Sequence, residues 1–183
     1  MSQPIQYIVD GDLFRAREQV IVNPVNCRGI MGAGLALAFK QRYPKMFLVY
    51  KQQCESGELR IGQPWLYTVS QPWILNFPTK DHYRQPSRLI YIQQGLDYLI
   101  VNWQQQGIES IAFPKLGCGK GGLSWDEVGP LMAQILAHLP ILTTIYIDKS
   151  DRELLVGERC ATDVHAYARG MHLHTGTCRR VRQ

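Results

Sequence analysis

Residues 20–34 have the sequence VIVNPVNCRGIMGAG, in which a short apolar strand leads into a glycine-rich loop and the start of a helix. Residues 111–122, IAFPKLGCGKGG, repeat this order of apolar strand and glycine-rich loop. Glycine lets backbone N–H groups approach an anion closely, and the N-terminus of a following helix adds partial positive charge. The first glycine loop (residues 26–34) and the second glycine loop (residues 117–122) together predict a cradle for a diphosphate between two sugars.

Other phosphate-binding loops fit this sequence poorly. A Walker A loop ends in Gly-Lys-Ser/Thr, whereas the second glycine loop runs into Gly-Gly-Leu. The spacing of Gly29, Gly32 and Gly34 is G-x-x-G-x-G, the reverse of the dinucleotide fingerprint, and no acidic residue closes a following strand at the usual distance. The alternative is that the glycines only make tight turns. That explanation is weaker for two matched loops than it would be for a single loop.

The chain as a whole alternates strand and helix patterns. Periodicity and turn residues predict strands at residues 3–9, 19–23, 65–69, 73–77, 110–113 and 143–147. They predict helices at residues 32–43, 45–56, 87–106 and 124–138, and a polar loop at residues 78–86. This alternation predicts an α/β fold, a three-layer α/β/α sandwich around a central mixed sheet. Ligands of such folds lie over the carboxyl ends of strands, where both glycine loops fall.

Composition limits the class of protein. The 183 residues fit one domain, and no apolar run is long enough to cross a membrane, so we expect no membrane partner. The five cysteines are odd in number and contain no C-x-x-C pair, which favours reduced thiols in a cytoplasmic protein. Of the 20 Lys and Arg residues, 7 lie in residues 149–183 against 4 acidic residues, so the net charge of +5 says little about nucleic-acid binding by the main domain.

Residues 149–183 differ from the rest in having little periodicity and many Arg, His, Gly and Thr residues. We therefore predict a main domain at residues 1–148 and a basic C-terminal tail of unknown role at residues 149–183. The tail contains Cys160, His165, His172, His174 and Cys178, whose spacings match no zinc pattern. No metal and no dissociable cofactor is expected.

Residues 3–148 resemble the macrodomain family, which binds and processes ADP-ribose. Gly11-Asp12-Leu13 is similar to its early Gly-Asp-Ile/Leu signature, and VNPVN at residues 22–26 is similar to its Val-Asn-x-x-Asn segment. The resemblance implies that Asp12 and Leu13 hold adenine, that Asn26 faces the distal ribose and that the second glycine loop covers the diphosphate. Taken singly, Asp12 could be a turn residue and Asn26 a cap before the helix. The implied ADP-ribose contacts further include Gly32, Gly34, Leu35, Gly117, Cys118, Gly119, Lys120, Gly121 and Gly122.

A sharper resemblance is to the macrodomain branch that holds terminal ADP-ribose glutamate hydrolases and DarG-type DNA ADP-ribosyl glycohydrolases. It rests on NCRGIMGAGLA at residues 26–36, NFPTKDHYRQPSRL at 76–89 and GCGKGGLSW at 117–125. It implies that Lys80 is the catalytic residue, the alternative being a solvated loop lysine. An ammonium group can protonate or stabilise the leaving group, and a neutral amine can instead form a Schiff base with the opened sugar. The sequence leaves both routes open.

One position separates the two groups of that branch. The glutamate hydrolases carry an aspartate in the second glycine loop, where this chain has Gly121. The resemblance therefore implies the DarG-type activity, removal of ADP-ribose from thymidine in single-stranded DNA. His82, Tyr83 and Arg84 become candidate contacts to DNA, since aromatic rings stack on bases and Arg binds phosphate; an exposed polar loop is the alternative.

The expected partners are ADP-ribose, ADP-ribosylated single-stranded DNA and a cognate DNA ADP-ribosyltransferase toxin, to which the protein would act as antitoxin. Members of this family neutralise the toxin directly through a second C-terminal domain, for which residues 149–183 are too few. Asp81 is a weak candidate to keep Lys80 charged, and Cys27 or Cys118 would need an activating base to act as nucleophile. Other candidate functions are an ADP-ribose-binding module without hydrolysis, a hydrolase of protein ADP-ribose esters and an ADP-ribose 1″-phosphate phosphatase.

Overall fold

The computed structural model of this chain describes residues 5–151. Six strands lie in this part of the chain: β1 (Gln6–Val9), β2 (Val20–Asn26), β3 (Trp65–Tyr67), β4 (Trp73–Lys80), β5 (Ser110–Phe113) and β6 (Leu142–Ile147). It also contains four α-helices: α1 (Gly34–Arg42), α2 (Pro44–Ser56), α3 (Leu89–Asn102) and α4 (Trp125–Leu136). Short 3-10 turns follow β1 at Leu13–Arg15 and β6 at Lys149–Asp151. The Cys and His residues of the predicted tail lie outside the described residues.

The strands form one mixed sheet in the order β1-β6-β5-β2-β4-β3. All neighbours are parallel except β3, which pairs antiparallel with β4 at one edge of the sheet. The carboxyl ends of the five parallel strands therefore all lie on the same side of the sheet, along the ends of the strands, and both glycine loops begin there. The predicted mixed sheet is confirmed, with β3 and β4 as its antiparallel pair.

Helices cover both faces of the sheet. In β2, Ile21 and Val22 are both fully buried although they point to opposite faces, as expected for a central parallel strand. Helices α1 and α2 contact each other, and α3 and α4 form a second pair that reaches the sheet through β4. A Cβ on Gly95 of α3 would lie 2.4 Å from the ring of Phe77 in β4, so glycine permits this close packing. The predicted three-layer sandwich is confirmed.

The main difference from the sequence prediction is the end of β4. The sequence predicts a polar loop at residues 78–86, and its first three residues are wrong because they belong to β4. The pairing of β2 with β4 instead continues through Val25 opposite Pro78 to Asn26 opposite Lys80, with a register shift between these two pairs. Lys80 is thus the last residue of a strand, and its backbone is fixed by the sheet.

Candidate functional site

A cavity of about 990 Å³ lies over the carboxyl ends of the parallel strands. Its walls come from both glycine loops, from the ends of β2 and β4, and from Tyr146 and Asp148 at the end of β6. Its size is that of a site for a ligand as large as a nucleotide sugar. Most of the predicted site residues line it: Asn26, Gly32, Gly34, Leu35, Lys80, Tyr83, Gly117, Cys118, Gly119, Lys120 and Gly121. The other predicted residues, Asp12, Leu13, Gly122, His82 and Arg84, are not in its wall.

Asp12 lies beside the β6 end of the cavity rather than in its wall. Burial, together with the charges of Glu18 and Asp12, raises the pKa of the wall residue Tyr146. The Oδ1 atom of Asp12 accepts a hydrogen bond from the backbone N–H of Phe14 at 2.9 Å and caps the turn at Leu13–Arg15. The turn role of Asp12 is therefore real, and its Oδ2 lies 3.9 Å from Nε of Arg15 in an exposed ion pair. The adenine contacts of Asp12 and of the buried Leu13 stay a prediction.

Asn26 organises the first glycine loop. Its Oδ1 accepts from the N–H of Arg28 at 2.9 Å, and its Nδ2 donates to the carbonyl of Ile30 at 2.6 Å. The hydroxyl of Tyr50 donates to the Asn26 carbonyl at 2.7 Å. Because an amide carries two N–H donors, one donor of Asn26 is left for a ligand in the cavity.

The first glycine loop ends at the N-terminus of α1. Gly34, the first residue of α1, has φ +56°, a conformation that favours glycine. The preceding residue, Ala33, makes no side-chain cap, and the first turn contains no acidic residue. The N–H groups of this turn are therefore available to an anion in the cavity.

Backbone hydrogen bonds fix the conformation of the second glycine loop. Leu123 N–H donates to the carbonyl of Gly117 at 3.1 Å, and Ser87 N–H donates to the carbonyl of Gly121 at 2.9 Å. A Cβ on Gly121 would lie 2.2 Å from the Gly117 oxygen and 2.4 Å from the Ser87 Oγ. No side chain fits at position 121 in this conformation, so the loop excludes a carboxylate there by packing.

Lys80 faces the cavity from the end of β4, next to Asn26 across the strand pair. Its Nζ donates a hydrogen bond to the backbone carbonyl of Lys120 in the second glycine loop, at 2.6 Å. Burial lowers the pKa of Lys80. Within residues 5–151, no carboxylate forms an ion pair with Lys80.

A second lysine of the cavity wall has the opposite environment. Lys115 forms ion pairs with Asp148 and, at 2.8 Å, with Asp151. Burial alone would lower the pKa of Lys115, but hydrogen bonds and charges from the two carboxylates outweigh it and raise that pKa. Lys115 is therefore held as a structural cation, whereas Lys80 keeps donors for a ligand.

The remaining groups considered for chemistry are placed for other roles. Asp81 pairs with Arg28 at 2.9 Å and ties the chain after β4 to the first glycine loop, so it is not the partner of Lys80. Burial, above all, raises the pKa of Cys27 to about 12 and that of Cys118 to about 11. Both thiols are therefore poor nucleophiles near neutral pH.

The segment after Lys80 presents stacked rings at the cavity mouth. The rings of His82 and Tyr83 stack with centroids 4.4 Å apart, and the guanidinium of Arg84 lies 5.4 Å from the Tyr83 centroid. Tyr83 is 40% exposed and lines the cavity. The partly exposed Tyr83 ring thus lies against both His82 and Arg84.

Sequence reasoning missed Lys115, Tyr146 and Asp148 as cavity residues. The position of Tyr146 and Asp148 at the carboxyl end of a parallel strand is the signal that could have found them. The pairing of Lys115 with Asp151 joins residues 36 positions apart and left no local pattern.

Residues 5–151 contain neither a cluster of metal-binding side chains nor a helix that could span a membrane. No group of His, Cys, Asp and Glu side chains is arranged to hold a metal ion. No helix has both the length and the apolar character needed to cross a membrane.

Comparison with known proteins gave consistent matches. The Macro domain family matches residues 22–132. A DNA ADP-ribosyl glycohydrolase of Mycobacterium tuberculosis is 46% identical over 134 residues, which cover 71% of this chain and 38% of that protein. A DNA ADP-ribosyl transferase–DNA ADP-ribosyl glycohydrolase fusion protein of Thermosipho africanus is 37% identical and covers 79% of this chain and 42% of its own length.

Among solved structures, Thermosipho africanus DarTG in complex with ADP-ribose has a TM-score of 0.76 and 38% identity, covering 81% of this chain and 42% of that one. This chain thus spans about two fifths of the length of the curated relatives it matches.

Proposed function

Because this chain belongs to the macrodomain family, we propose that it is a DNA ADP-ribosyl glycohydrolase that removes ADP-ribose from thymidine in single-stranded DNA. The observation that carries the proposal is the position of Lys80. It ends β4 in the wall of the cavity, beside Asn26 and bonded to the second glycine loop, with no carboxylate partner among the described residues. The similar proteins of Mycobacterium tuberculosis and Thermosipho africanus are both named for DNA ADP-ribosyl glycohydrolase activity.

The chemistry asked of Lys80 is stabilisation of a leaving base. The bond between the anomeric carbon of the distal ribose and the base breaks, a water oxygen bonds to that carbon, and the base leaves with a proton. The transition state resembles an oxocarbenium ion, and negative charge builds up on the base. A lysine ammonium at the β4 end can stabilise that charge or supply the proton.

Two features favour the ammonium role of Lys80 over a Schiff base. The 2.6 Å bond to the Lys120 carbonyl is one that a protonated amine makes well. A Schiff-base route needs a group that helps to resolve the adduct, and position 121, where a carboxylate would stand, has no room for a side chain.

Charge gives the ligand a direction in the cavity. Asp12 lies at the β1 side of the sheet and Asp148 is paired with Lys115, whereas Lys80 and Arg84 lie at the β4 side without a carboxylate partner among the described residues. A carboxylate suits the exocyclic amine of adenine, and cationic groups suit DNA phosphates. We therefore assign the adenine to the β6 side, the diphosphate to the two glycine loops, and the DNA to the β4 side.

The biological role that goes with this activity is that of an antitoxin. The fusion of a glycohydrolase with a DNA ADP-ribosyl transferase in a relative supports pairing of this chain with such an enzyme as its cognate toxin. Reversal of a DNA modification inside the cell fits a cytoplasmic protein.

A comparison of substrates tests the proposal. The protein is incubated with a thymidine-ADP-ribosylated oligonucleotide, with a protein carrying ADP-ribosyl-glutamate, and with ADP-ribose 1″-phosphate. We expect release of ADP-ribose from the oligonucleotide at a rate at least about 100-fold above that from the other two, in line with a transition-state contact made to one leaving group only. Binding of ADP-ribose without release from any substrate would refute hydrolysis and leave a binding module; faster turnover of either other substrate would reassign the activity.

A further inference from the structure

The first turn of α3 repeats the ring-and-guanidinium unit found at Tyr83 and Arg84. The guanidinium of Arg88 lies 5.3 Å from the ring centroid of Tyr91, and its Nη1 lies 3.4 Å from the Tyr91 hydroxyl. The first distance is within the range of a cation–π contact, and the second is a hydrogen bond from the guanidinium to the phenol oxygen. Two such units, eight residues apart, thus follow Lys80 along the chain.

The second unit is fixed to the rim of the cavity. The N–H of Ser87, next to Arg88, donates to the carbonyl of Gly121 in the second glycine loop. A Cβ on Gly117 would meet Ile92 of α3 and Ser87, each at 3.1 Å. The first turn of α3 is therefore packed directly against the loop, and Arg88 and Tyr91 stand beside it.

The charge of this segment is one-sided. No Asp or Glu occurs between Asp81 and Asp97. Arg84 and Arg88 are exposed, and within residues 5–151 neither forms an ion pair with a carboxylate. Exposed guanidinium groups without an acidic partner are complementary to phosphate, and the tyrosine faces are complementary to unpaired bases.

We propose that Tyr83, Arg84, Arg88 and Tyr91 form a strand-binding surface for the nucleotides that flank the modified base. This inference rests on the proposed function and names the part of the substrate that the cavity does not hold. The rings stack on unpaired bases and the guanidinium groups bind the phosphates between them. Arg88 and Tyr91 are thus determinants of specificity for DNA over the isolated nucleoside.

The test compares two substrates that share the same scissile bond. One is ADP-ribosyl-thymidine as a free nucleoside, and the other is a single-stranded oligonucleotide with the same adduct in its middle. We expect Arg88→Ala and Tyr91→Ala each to lower kcat/KM for the oligonucleotide about tenfold, the usual scale of one lost stacking or phosphate contact. We expect both variants to hydrolyse the nucleoside within about twofold of wild type, because the cavity is unchanged.

Matched controls separate this effect from general loss of charge or of a helix surface residue. Arg17 is an exposed arginine before the amino end of β2, whereas the cavity lies over the carboxyl ends of the strands. Tyr98 is a half-buried tyrosine two turns further along α3 than Tyr91. Arg17→Ala and Tyr98→Ala are expected to keep wild-type preference for the oligonucleotide. Arg88→Ala is also expected to reduce the slope of log affinity against log salt for unmodified single-stranded DNA by about 0.7.

The outcomes distinguish failure of this inference from failure of the proposed function. Equal effects of Arg88→Ala on nucleoside and oligonucleotide, or no effect on either, would overturn the strand-binding surface while the glycohydrolase activity stands. If wild type hydrolyses neither substrate, the proposed function fails. In that case, binding of unmodified single-stranded DNA still decides the inference: weaker binding by Arg88→Ala and Tyr91→Ala supports it, and binding equal to wild type overturns it.

Discussion

Gly121 and Gly119 form a matched pair in the second glycine loop for testing how tightly the loop must be packed. A Cβ on Gly121 would lie 2.2 Å from the Gly117 oxygen, whereas a Cβ on Gly119 meets nothing within 4 Å. An ordinary contact begins near 3.4 Å, so Gly121→Ala forces the backbones at Gly117 and position 121 apart by about 1 Å. Gly119→Ala requires no movement.

The displaced backbone includes the Lys120 carbonyl that bonds Lys80. A misplacement of about 1 Å near reacting groups costs about 100-fold in rate, and this is the loss of kcat/KM that we expect for Gly121→Ala on the ADP-ribosylated oligonucleotide. Overpacking also lowers the free energy of unfolding by about 1–3 kcal/mol, which leaves the domain folded. For Gly119→Ala we expect a free energy of unfolding within about 0.5 kcal/mol of wild type, since a Cβ there meets no protein atom within 4 Å.

The assay is ADP-ribose release measured with both variants, together with calorimetric binding of free ADP-ribose and urea unfolding. Wild-type kcat/KM in Gly121→Ala would refute the argument that this loop is set by close packing. Equal losses in both variants would show that any added methyl group, rather than the contact with Gly117, is responsible.

Three further predictions follow from contacts around the site. If Lys80 acts as an ammonium, kcat/KM falls as the pH rises through the pKa of Lys80, which burial places below the usual lysine value. A kcat/KM that rises through that pKa, together with trapping of an enzyme–sugar adduct by borohydride, would support the Schiff base instead. Asn76→Ala removes the acceptor of a 2.9 Å bond from the fully buried Asn23, and leaving that amide unpaired should lower the free energy of unfolding by about 1–3 kcal/mol in urea titrations; an unchanged midpoint would show that the pair is dispensable. Cys118→Ser should keep kcat/KM within about threefold, because burial holds the thiol protonated, and a loss above tenfold would return the cysteine to the mechanism.

Much of the fold could be predicted from local sequence. The apolar run of β2 and the turn residues around it predict a buried strand before a loop, and the structure has both. The end of β4 could not be predicted in the same way, because Pro78 suggests a loop, whereas its pairing with Val25 depends on β2, a strand that is distant in sequence. Tertiary contact decides that point.

The candidate site divides in the same way. The family resemblance implies that Lys80 and the second glycine loop serve one site, but the bond from Lys80 to the Lys120 carbonyl joins residues 40 positions apart and leaves no local pattern. The lack of room for a side chain at position 121 is likewise a property of the folded loop, since it depends on Gly117 and Ser87. Asp81 shows the opposite case. Its position next to Lys80 in the sequence suggests an ion pair with that lysine, but in the structure Asp81 pairs with Arg28.

The most direct test of the central claim is ADP-ribose release from a thymidine-ADP-ribosylated single-stranded oligonucleotide by wild type and by Lys80→Ala, with the affinity of each for free ADP-ribose measured alongside. We expect release by wild type and a loss of at least about 100-fold in Lys80→Ala, the usual scale for removal of a proton-transfer or charge-stabilising group. We also expect ADP-ribose still to bind to the variant, because the glycine loops remain. Release by Lys80→Ala at the wild-type rate would contradict it.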